Sequence, residues 1–458
     1  MFDIDIIETP SLGDRSYLLS DGTVAAVIDP QRDIDRILDL ARSREVRITH
    51  VLETHLHNDY VSGGGELAAT TGAAYLISAD DEVSFDRDPI RDGDVVTVGQ
   101  MRLRAIHTPG HTHHHHSYAL QTPTGDTEAV FTGGSLLYAS TGRTDLLGPE
   151  HTDALTHAQY RSVQRLAREL PDAARVMPTH GFGSFCSATP TSGDESTIAE
   201  QRQVNPALTQ DEQAFVDELI AGLDAYPAYY AHMGPLNSVA PAPVDLSMPV
   251  LVDPAELRAR IESGQWVVDL RSRTAFAAGH LAGSLSFELS DNFIAYLGWL
   301  HPWGDALTLI GDTPDQILDA RRELVRIGID RLDGATIGDP TLNAPTAQVR
   351  SYRVTDFAGL AQALSDDQVH VLDTRRNDER AKSAIPGSQH IPLHELPARL
   401  DEVPPEDVWV HCGSGYRAAI AASLLDDGTR RLVHIDDNYE RAEQLGLVSP
   451  ANDGAATS

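Results

Sequence analysis

Alternating strand-like and helix-like segments over 458 residues predict an α/β chain of about three domains, at roughly 150 residues each. Three observations carry that expectation. In the first half, β-branched runs feed turns that hold histidine, aspartate and glycine. A proline-rich stretch, Val239-Ala240-Pro241-Ala242-Pro243, then breaks any periodicity. Beyond it, one pattern of helix, strand and Gly-Ser turn occurs twice, about a hundred residues apart.

Composition narrows the function. Hydrophobic residues make up 41% of the chain, enough for packed cores. The formal net charge is −33, and Lys382 is the only lysine. Such a field repels nucleic acid and anionic membrane, so neither is expected as a partner. Two cysteines, Cys186 and Cys412, give no disulfide framework. The acidic start Met1-Phe2-Asp3-Ile4-Asp5 lacks the features of a signal peptide, and no apolar run approaches the roughly 18 residues of a membrane helix. A cytoplasmic protein is expected, with homo-oligomerisation left open.

The first domain opens with short strands at Ile4–Ile7, Ser16–Leu19 and Ala25–Asp29, turned by Gly13-Asp14 and Asp21-Gly22. Ile34, Ile37, Leu38 and Ala41 share one face of a helix over 34–43. The run Ile48–Leu52 then delivers Thr54-His55-Leu56-His57-Asn58-Asp59-Tyr60. Imidazoles suit zinc or iron, and a nearby carboxylate can bind a metal or orient a ligand. Gly63 to Gly65 allow a close helix start. In His107-Thr108-Pro109-Gly110-His111 the Pro-Gly turn makes His111 the best further ligand. His113 to His116 read as exposed loop or as supports behind the ligands.

Ala129–Ser135, Gly142–Asp145 and Val176–Gly181 have the form of strand ends and glycine loops that bring dispersed residues to one rim. Residues 189–200 read as a polar surface excursion. Thr209–Leu223 reads as a helix, with Thr209 and Glu212 spaced as a capping box. The aromatic segment 226–237 is expected to pack between domains, and Cys186 to be small buried packing rather than a sulfur acceptor.

His55-x-His57-x-Asp59, His111 in its His-Thr-Pro-Gly-His setting, Phe131-Thr132-Gly133 and His180 together resemble the ordered motifs of the metallo-β-lactamase superfamily. Gly142-Arg143-Thr144-Asp145 narrows the resemblance to the persulfide dioxygenase branch. The resemblance implies an αββα sandwich over residues 1–237 and mononuclear non-haem iron at the strand-end rim. Two departures stand out. Tyr60 occupies a position that is usually histidine, and Gly134 one that is usually the metal-binding aspartate. Carried over residue by residue, His55 and His111 survive and the carboxylate is lost. A 2-His-1-carboxylate face lowers the charge of ferrous iron and leaves open positions. Its loss calls for another ligand. His57 is the nearest, and Asp59 or His180 could contribute directly or hold a ligand in place. The expected group is one metal ion, Fe(II) first and Zn(II) as the alternative.

After the break, a helix over 253–261, the strand Trp266–Arg271 and Gly279-His280-Leu281-Ala282-Gly283-Ser284 resemble a rhodanese domain, 238–345. Gly311 stands where an active member has cysteine, so this copy reads as structural. The pattern recurs in 346–458: a helix over 357–364, Val369–Arg375, then Ile385-Pro386-Gly387-Ser388. Asp373 and Arg375 match the family's strand end and read as structural, and Ala384 stands where many members have histidine. Here Val408-Trp409-Val410-His411 leads into Cys412-Gly413-Ser414-Gly415-Tyr416-Arg417 and a helix.

A strand, a glycine loop begun by cysteine and a helix amino end form an anion cradle that favours thiolate. Four residues separate Cys412 from Arg417, one fewer than in cysteine phosphatases of related shape, which points to sulfur transfer. Cys412 and Arg417 are the candidate catalytic residues, and Gly413, Ser414, Gly415 and Tyr416 the candidate substrate cradle.

The fold class is therefore α/β: an N-terminal αββα metallo-β-lactamase sandwich followed by two α/β rhodanese domains. This order resembles fused persulfide dioxygenase–sulfurtransferases. It implies action on a glutathione-like thiol persulfide, with thiosulfate or sulfite as further small-molecule partners, in sulfide detoxification. Two alternatives remain: a single-metal hydrolase with a tethered rhodanese, and a metal-free sulfur-relay platform in which Cys412 alone is active.

Overall fold

The computed structural model describes residues 2–449 except 190, 192, 240, 241, 343, 367, 368 and 406. Ala240 and Pro241 of the expected linker, and Pro190 and Ser192 of the expected surface excursion, lie outside them. The chain divides into two compact units. The first is Met1–Asp245 with Glu323–Asp330, and the second Leu246–Arg322 with Arg331–Ser458.

Unit 1 holds two sheets. Strands β1 (Asp3–Thr9), β2 (Asp14–Ser20), β3 (Val24–Ile28), β4 (Arg47–Leu52), β5 (Ala74–Ser78) and β6 (Asp88–Ile90) form the first, in that order. The second runs β11-β10-β9-β8-β7, built from β7 (Val95–Val98), β8 (Met101–His107), β9 (His116–Gln121), β10 (Thr127–Gly133) and β11 (Arg175–Pro178). Side chains alternate across each strand. Tyr17, Leu19, Ile28 and Leu52 of the first sheet therefore meet Leu103, Tyr118, Leu120 and Phe131 of the second in a central core. Leu18, Val27 and Val51 point the other way, onto Ile34, Ile37 and Leu67 of the helices over that face. Ile106, Ala119 and Val130 do the same under Val163, Leu166, Phe215 and Leu219. Helix, sheet, sheet and helix are thus four layers, an αββα sandwich.

One local expectation needs correction. The helix near 212 is capped not by Thr209 but by Asp211, whose side chain accepts the Ala214 N–H, and it runs Glu212–Gly222. Thr209 ends the preceding short helix, its hydroxyl donating to Asn205 O.

Unit 2 holds β12 (Trp266–Asp269), β13 (His280–Leu281), β14 (Leu285–Ser286), β15 (Leu307–Gly311), β16 (Leu332–Ile337), β17 (Val349–Arg350), β18 (Arg353–Thr355), β19 (His370–Asp373), β20 (Gln389–His390), β21 (Asp407–His411) and β22 (Arg431–Ile435). They form parallel sheets ordered β14-β12-β15-β16 and β18-β22-β21-β19-β20, and β13 pairs with β17. Two of these strand ends share one side-chain arrangement. Arg271 Nη2 donates to Asp269 Oδ2 at 2.7 Å and to Gly279 O at 2.9 Å. Arg375 Nη2 donates to Asp373 Oδ2 at 2.7 Å and to Ser383 O at 2.7 Å. Among the described residues no helix is long and apolar enough to cross a membrane.

Candidate metal centre and cysteine loop

The rim of the sandwich is organised by Asp29, which follows β3 with φ of 51°. Its carboxylate accepts the Thr54 N–H at 2.6 Å and the Thr54 hydroxyl at 2.7 Å, and also the Thr179 hydroxyl. One buried anion therefore fixes both the loop carrying His55 and the loop carrying His180. Since Thr54 spends its proton on Asp29, its oxygen accepts from His55 Nδ1, 2.9 Å away. That leaves the lone pair of His55 on Nε2.

The same logic settles two more imidazoles. His111 Nδ1 donates to Arg143 O at 2.8 Å, and its Nε2 is buried without a partner. His180 Nδ1 donates to Asp14 Oδ1 at 2.9 Å and lies 3.1 Å from Asp59 Oδ2. Its Nε2 faces His55 Nε2 at 3.4 Å. The rings of His55, His111 and His180 lie 4.8–5.3 Å apart, centroid to centroid. Each is tied at Nδ1, which leaves Nε2 as the atom free to bind a metal, the arrangement that fixes metal-binding histidines.

His57 is oriented the other way. Its Nε2 lies 2.9 Å from the Tyr60 hydroxyl and 3.3 Å from both Asp29 Oδ1 and Glu53 Oε2, and Nδ1 is the buried unpartnered atom. Burial would lower its pKa, but Asp29 and Glu53 outweigh burial and hold it at about 9. Burial and then His180 push His111 down to about 3, against weaker upward pulls from Arg143 O and Asp59. Asp59 sits well below the usual carboxylate range, because His180 and then His57 overcome the burial that opposes ionisation.

A metal fits this donor set. Orphaned nitrogens on His57 and His111 are buried, as is an orphaned Asp59 Oδ1, and desolvated polar atoms without partners are costly. His55, His57 and His180 bring one ligand atom each within 4.8 Å of one another, and so do His111, His180 and Cys186. The 3.4 Å between the two Nε2 atoms equals the edge of a tetrahedron whose metal–nitrogen bonds are about 2.0–2.1 Å.

The two departures from the family pattern acquire physical reasons. A Cβ on Gly134 would stand 2.2 Å from His111 Cδ2, and one on Gly142 would stand 2.7 Å from His111 Nδ1. The ring of His111 is wedged between two glycines, and the room for a carboxylate at 134 is taken. Tyr60 stacks on His57 with centroids 4.2 Å apart. Its pKa is pushed well up by burial and then by Asp29 and Glu53, so it stays a phenol.

Of the histidine run, His113 is exposed and His114 half-buried, whereas His115 and His116 are buried. His115 stacks on His55 at 4.9 Å, and its Nε2 accepts the Gly134 N–H at 3.1 Å, so its lone pair holds the glycine turn. Cys186 is fully buried, and burial pushes its thiol pKa well up. Sequence reasoning missed Asp14 and Asn237 as site residues. Their partners lie 166 and 180 positions away, and no local motif marks them. The aromatic segment expected between domains contributes Asn237 to the His57 loop within its own unit.

In unit 2, β21 ends at His411, Cys412 is buried, and the helix Tyr416–Leu425 begins behind Gly415 at φ 88°. A Cβ on Gly415 would stand 2.2 Å from Asp436 Oδ1, so the turn requires glycine. Gly413 is half-buried, its carbonyl accepting the Tyr439 N–H at 2.9 Å, and Ser414 is exposed. Tyr416 turns its side chain away, its hydroxyl donating to Glu288 O at 2.9 Å, so what it can offer a ligand is its backbone N–H. Arg417 grips Glu379 with both terminal nitrogens, Nη2 donating to Oε1 at 2.7 Å. Tyr296 lies beneath its guanidinium at 6.0 Å. Neither Glu379 nor Tyr296 carries a sequence signal, because each comes from another segment.

The loop after β15, which ends at Gly311, is closed. A Cβ there would stand 2.9 Å from Ile317 Cδ1 and 3.0 Å from Gln316 Oε1, and Gln316 bonds the Asp312 N–H and Leu270 O across the loop.

The bovine (Bos taurus) mitochondrial persulfide dioxygenase ETHE1 is 30% identical over 209 residues, 44% of this chain and 74% of that protein. Residues 14–180 match the family model described as the metallo-beta-lactamase superfamily. The chain belongs to the metallo-beta-lactamase superfamily. Within this superfamily member, residues 357–441 match a rhodanese-like domain, so the two are fused in one chain. The cytoplasmic hydroxyacylglutathione hydrolase of Arabidopsis thaliana is 34% identical over 182 residues, 39% of this chain and 67% of that protein. A solved metallo-beta-lactamase from Staphylococcus aureus superposes with a TM-score of 0.67 at 26% identity, covering 74% of this chain and 99% of that one.

Proposed function

We propose that this chain oxidises a low-molecular-weight, glutathione-like persulfide at the sandwich rim and carries sulfane sulfur on Cys412. The reading rests on one observation above the others: three imidazoles packed ring against ring are each tied at Nδ1, with the Nε2 atoms of His55 and His180 3.4 Å apart, in a chain that also holds a cysteine cradle. His55, His111 and His180, with His57 through Nδ1, would hold a single metal, Fe(II) in this proposal. When bound, that iron would supply activation of dioxygen. Around it the residues have separate tasks. Asp29 holds two loops in register, Asn237 fixes the His57 loop, and buried Tyr60 closes the wall beside His57. The overall change is oxidation of the outer sulfur by dioxygen and water to sulfite, with release of the thiol.

At the second site the Cys412 thiolate attacks the outer sulfur of a persulfide, and the thiol leaves. The loop N–H groups and the helix amino end receive the resulting negative charge. Attack by sulfite on the outer sulfur of the Cys412 persulfide then gives thiosulfate and restores the thiolate. The preceding repeat, with the same Asp–Arg pair and a blocked Gly311 loop, is read here as a rhodanese-like module without chemistry. A cytoplasmic setting goes with this reading.

The test is oxygen uptake and sulfite release by the full chain, loaded anaerobically with iron and given glutathione persulfide. Uptake matched by sulfite supports the proposal, and a fully iron-loaded protein that takes up no oxygen refutes it. The hydrolase reading has one observation in its favour, the similarity to the plant hydroxyacylglutathione hydrolase. Thioester cleavage by the zinc-loaded chain would decide for it.

A further inference from the structure

With Gly134 in place of a carboxylate, the imidazole face of the centre carries no anionic group at that position. The anionic groups lie on the opposite wall. Asp14 begins β2, is 1% exposed, and takes the Nδ1 proton of His180 at 2.9 Å. This contact is built by the main chain as well as by the side chains. Asp14 and His180 form an isolated antiparallel bridge, and the Arg15 N–H donates to Thr179 O at 2.8 Å. Gly13, at φ 70°, lies so close to residues 182–184 that a Cβ would stand 2.2 Å from Ser184 N.

Among the described residues, the positive charge these carboxylates meet is that of His180 and His57, which an imidazole gives up on binding a metal. Asp14 and Asp59 both face the single Nδ1–H of His180, and Asp14 Oδ2 and Asp59 Oδ1 are buried with no partner. The nearest arginine in sequence, Arg15, sends its guanidinium to Glu8 and to Asp194 O instead. A buried carboxylate without a compensating cation costs several kcal/mol, about the range that keeps such groups rare. A divalent cation on the far nitrogen of the same imidazole would balance it. A carboxylate on the distal N–H of a metal-bound histidine also fixes its tautomer and raises its basicity.

We propose that Asp14, acting through His180, supplies the metal centre with the negative charge that the residue at 134 does not. Asp14 is thus a positioning residue: its oxygen holds His180 Nδ1–H, and His180 Nε2 presents the more basic lone pair toward His55. The inference rests on the metal-dependent reading above and adds one element to it, the origin of the anionic charge.

The experiment titrates the metal-free full chain with Co(II) and follows the visible ligand-field bands, with affinity taken from chelator competition. Asp14→Asn keeps an oxygen for His180 but removes the charge. It is expected to weaken Co(II) binding about ten- to a hundred-fold and to shift the bands. Asp14→Glu, which restores the charge, is expected to recover part of both. Wild-type affinity and bands in a folded Asp14→Asn overturn the inference alone. Equal weakening in folded Asn and Glu variants also overturns it. No Co(II) binding by the wild type overturns the metal-dependent reading together with the inference. If the Asn variant does not fold, a structure of Co(II)-soaked wild type decides. Cobalt on His180 Nε2 with Asp14 on Nδ1 supports the assignment, and cobalt held without His180 overturns it.

Discussion

Asn237 holds His57 from 180 positions down the chain. Its Nδ2 donates to His57 O at 2.9 Å and to Tyr60 O at 2.8 Å, while Oδ1 accepts the Ser62 N–H at 2.8 Å. Asn237→Ala removes three bonds and leaves their backbone partners without replacements. A loss of about 2–4 kcal/mol follows, from roughly 1 kcal/mol per bond and more where a group stays dry. A lower melting temperature and weaker metal binding are expected together. An unchanged melt would show that the loop is fixed by other means.

Restoring the family's aspartate does not restore its site. In Gly134→Asp the new Cβ meets the His111 ring 2.2 Å away, so the ring or the turn has to move. Overpacking of this kind costs about 1–3 kcal/mol. The variant is expected to bind metal more weakly than wild type, as read by chelator competition. Tighter binding would mean that the pocket has slack the geometry denies.

The proposed sulfur transfer is expected to depend on Cys412 alone. Cys412→Ser is expected to abolish thiosulfate-to-cyanide transfer. Adding Gly311→Cys to that variant does not bring it back, because Ile317 and Gln316 already occupy the space above the first loop. Recovery of transfer in the double variant would contradict this.

Acid should loosen the cysteine module through His411. Burial pushes this imidazole from its ordinary 6.5 down to about 4, and the opposing pull of Asp373, 3.8 Å away, does not overcome it. A folded-state pKa below the unfolded one gives stability that is complete above about pH 6.5 and is lost as pH falls toward 4. The shift corresponds to about 3 kcal/mol at the standard conversion. Denaturant unfolding at stepped pH reads the slope. His411→Phe, which keeps a ring against Tyr439 and Phe357, should flatten it. A slope that persists in the variant would assign the acid sensitivity elsewhere.

What the sequence disclosed and what it hid divide by distance along the chain. His55, His57, Asp59 and His111 stand out as candidates because a β-strand end and a Pro-Gly turn present them in two short local motifs. Cys412 and Arg417 were legible for the same reason, as one strand–loop–helix. Asp14 and Asn237 were not, because what they touch is set by the closing of the sandwich, which no local spacing encodes. The cap near 212 was misplaced because Thr209 and Asp211 both satisfy the local chemistry, and only the end of the preceding helix decides between them. His115 shows the reverse case. It was visible as a letter, but its task of holding Gly134 depended on β9 lying beside β10.

The matched braces Asp269–Arg271 and Asp373–Arg375 each join a strand end to the turn that follows, away from the residue at 311 or 412. Scaffold integrity and nucleophile are therefore separable properties in this architecture. A loop without a cysteine, as at Gly311, costs the brace behind it nothing.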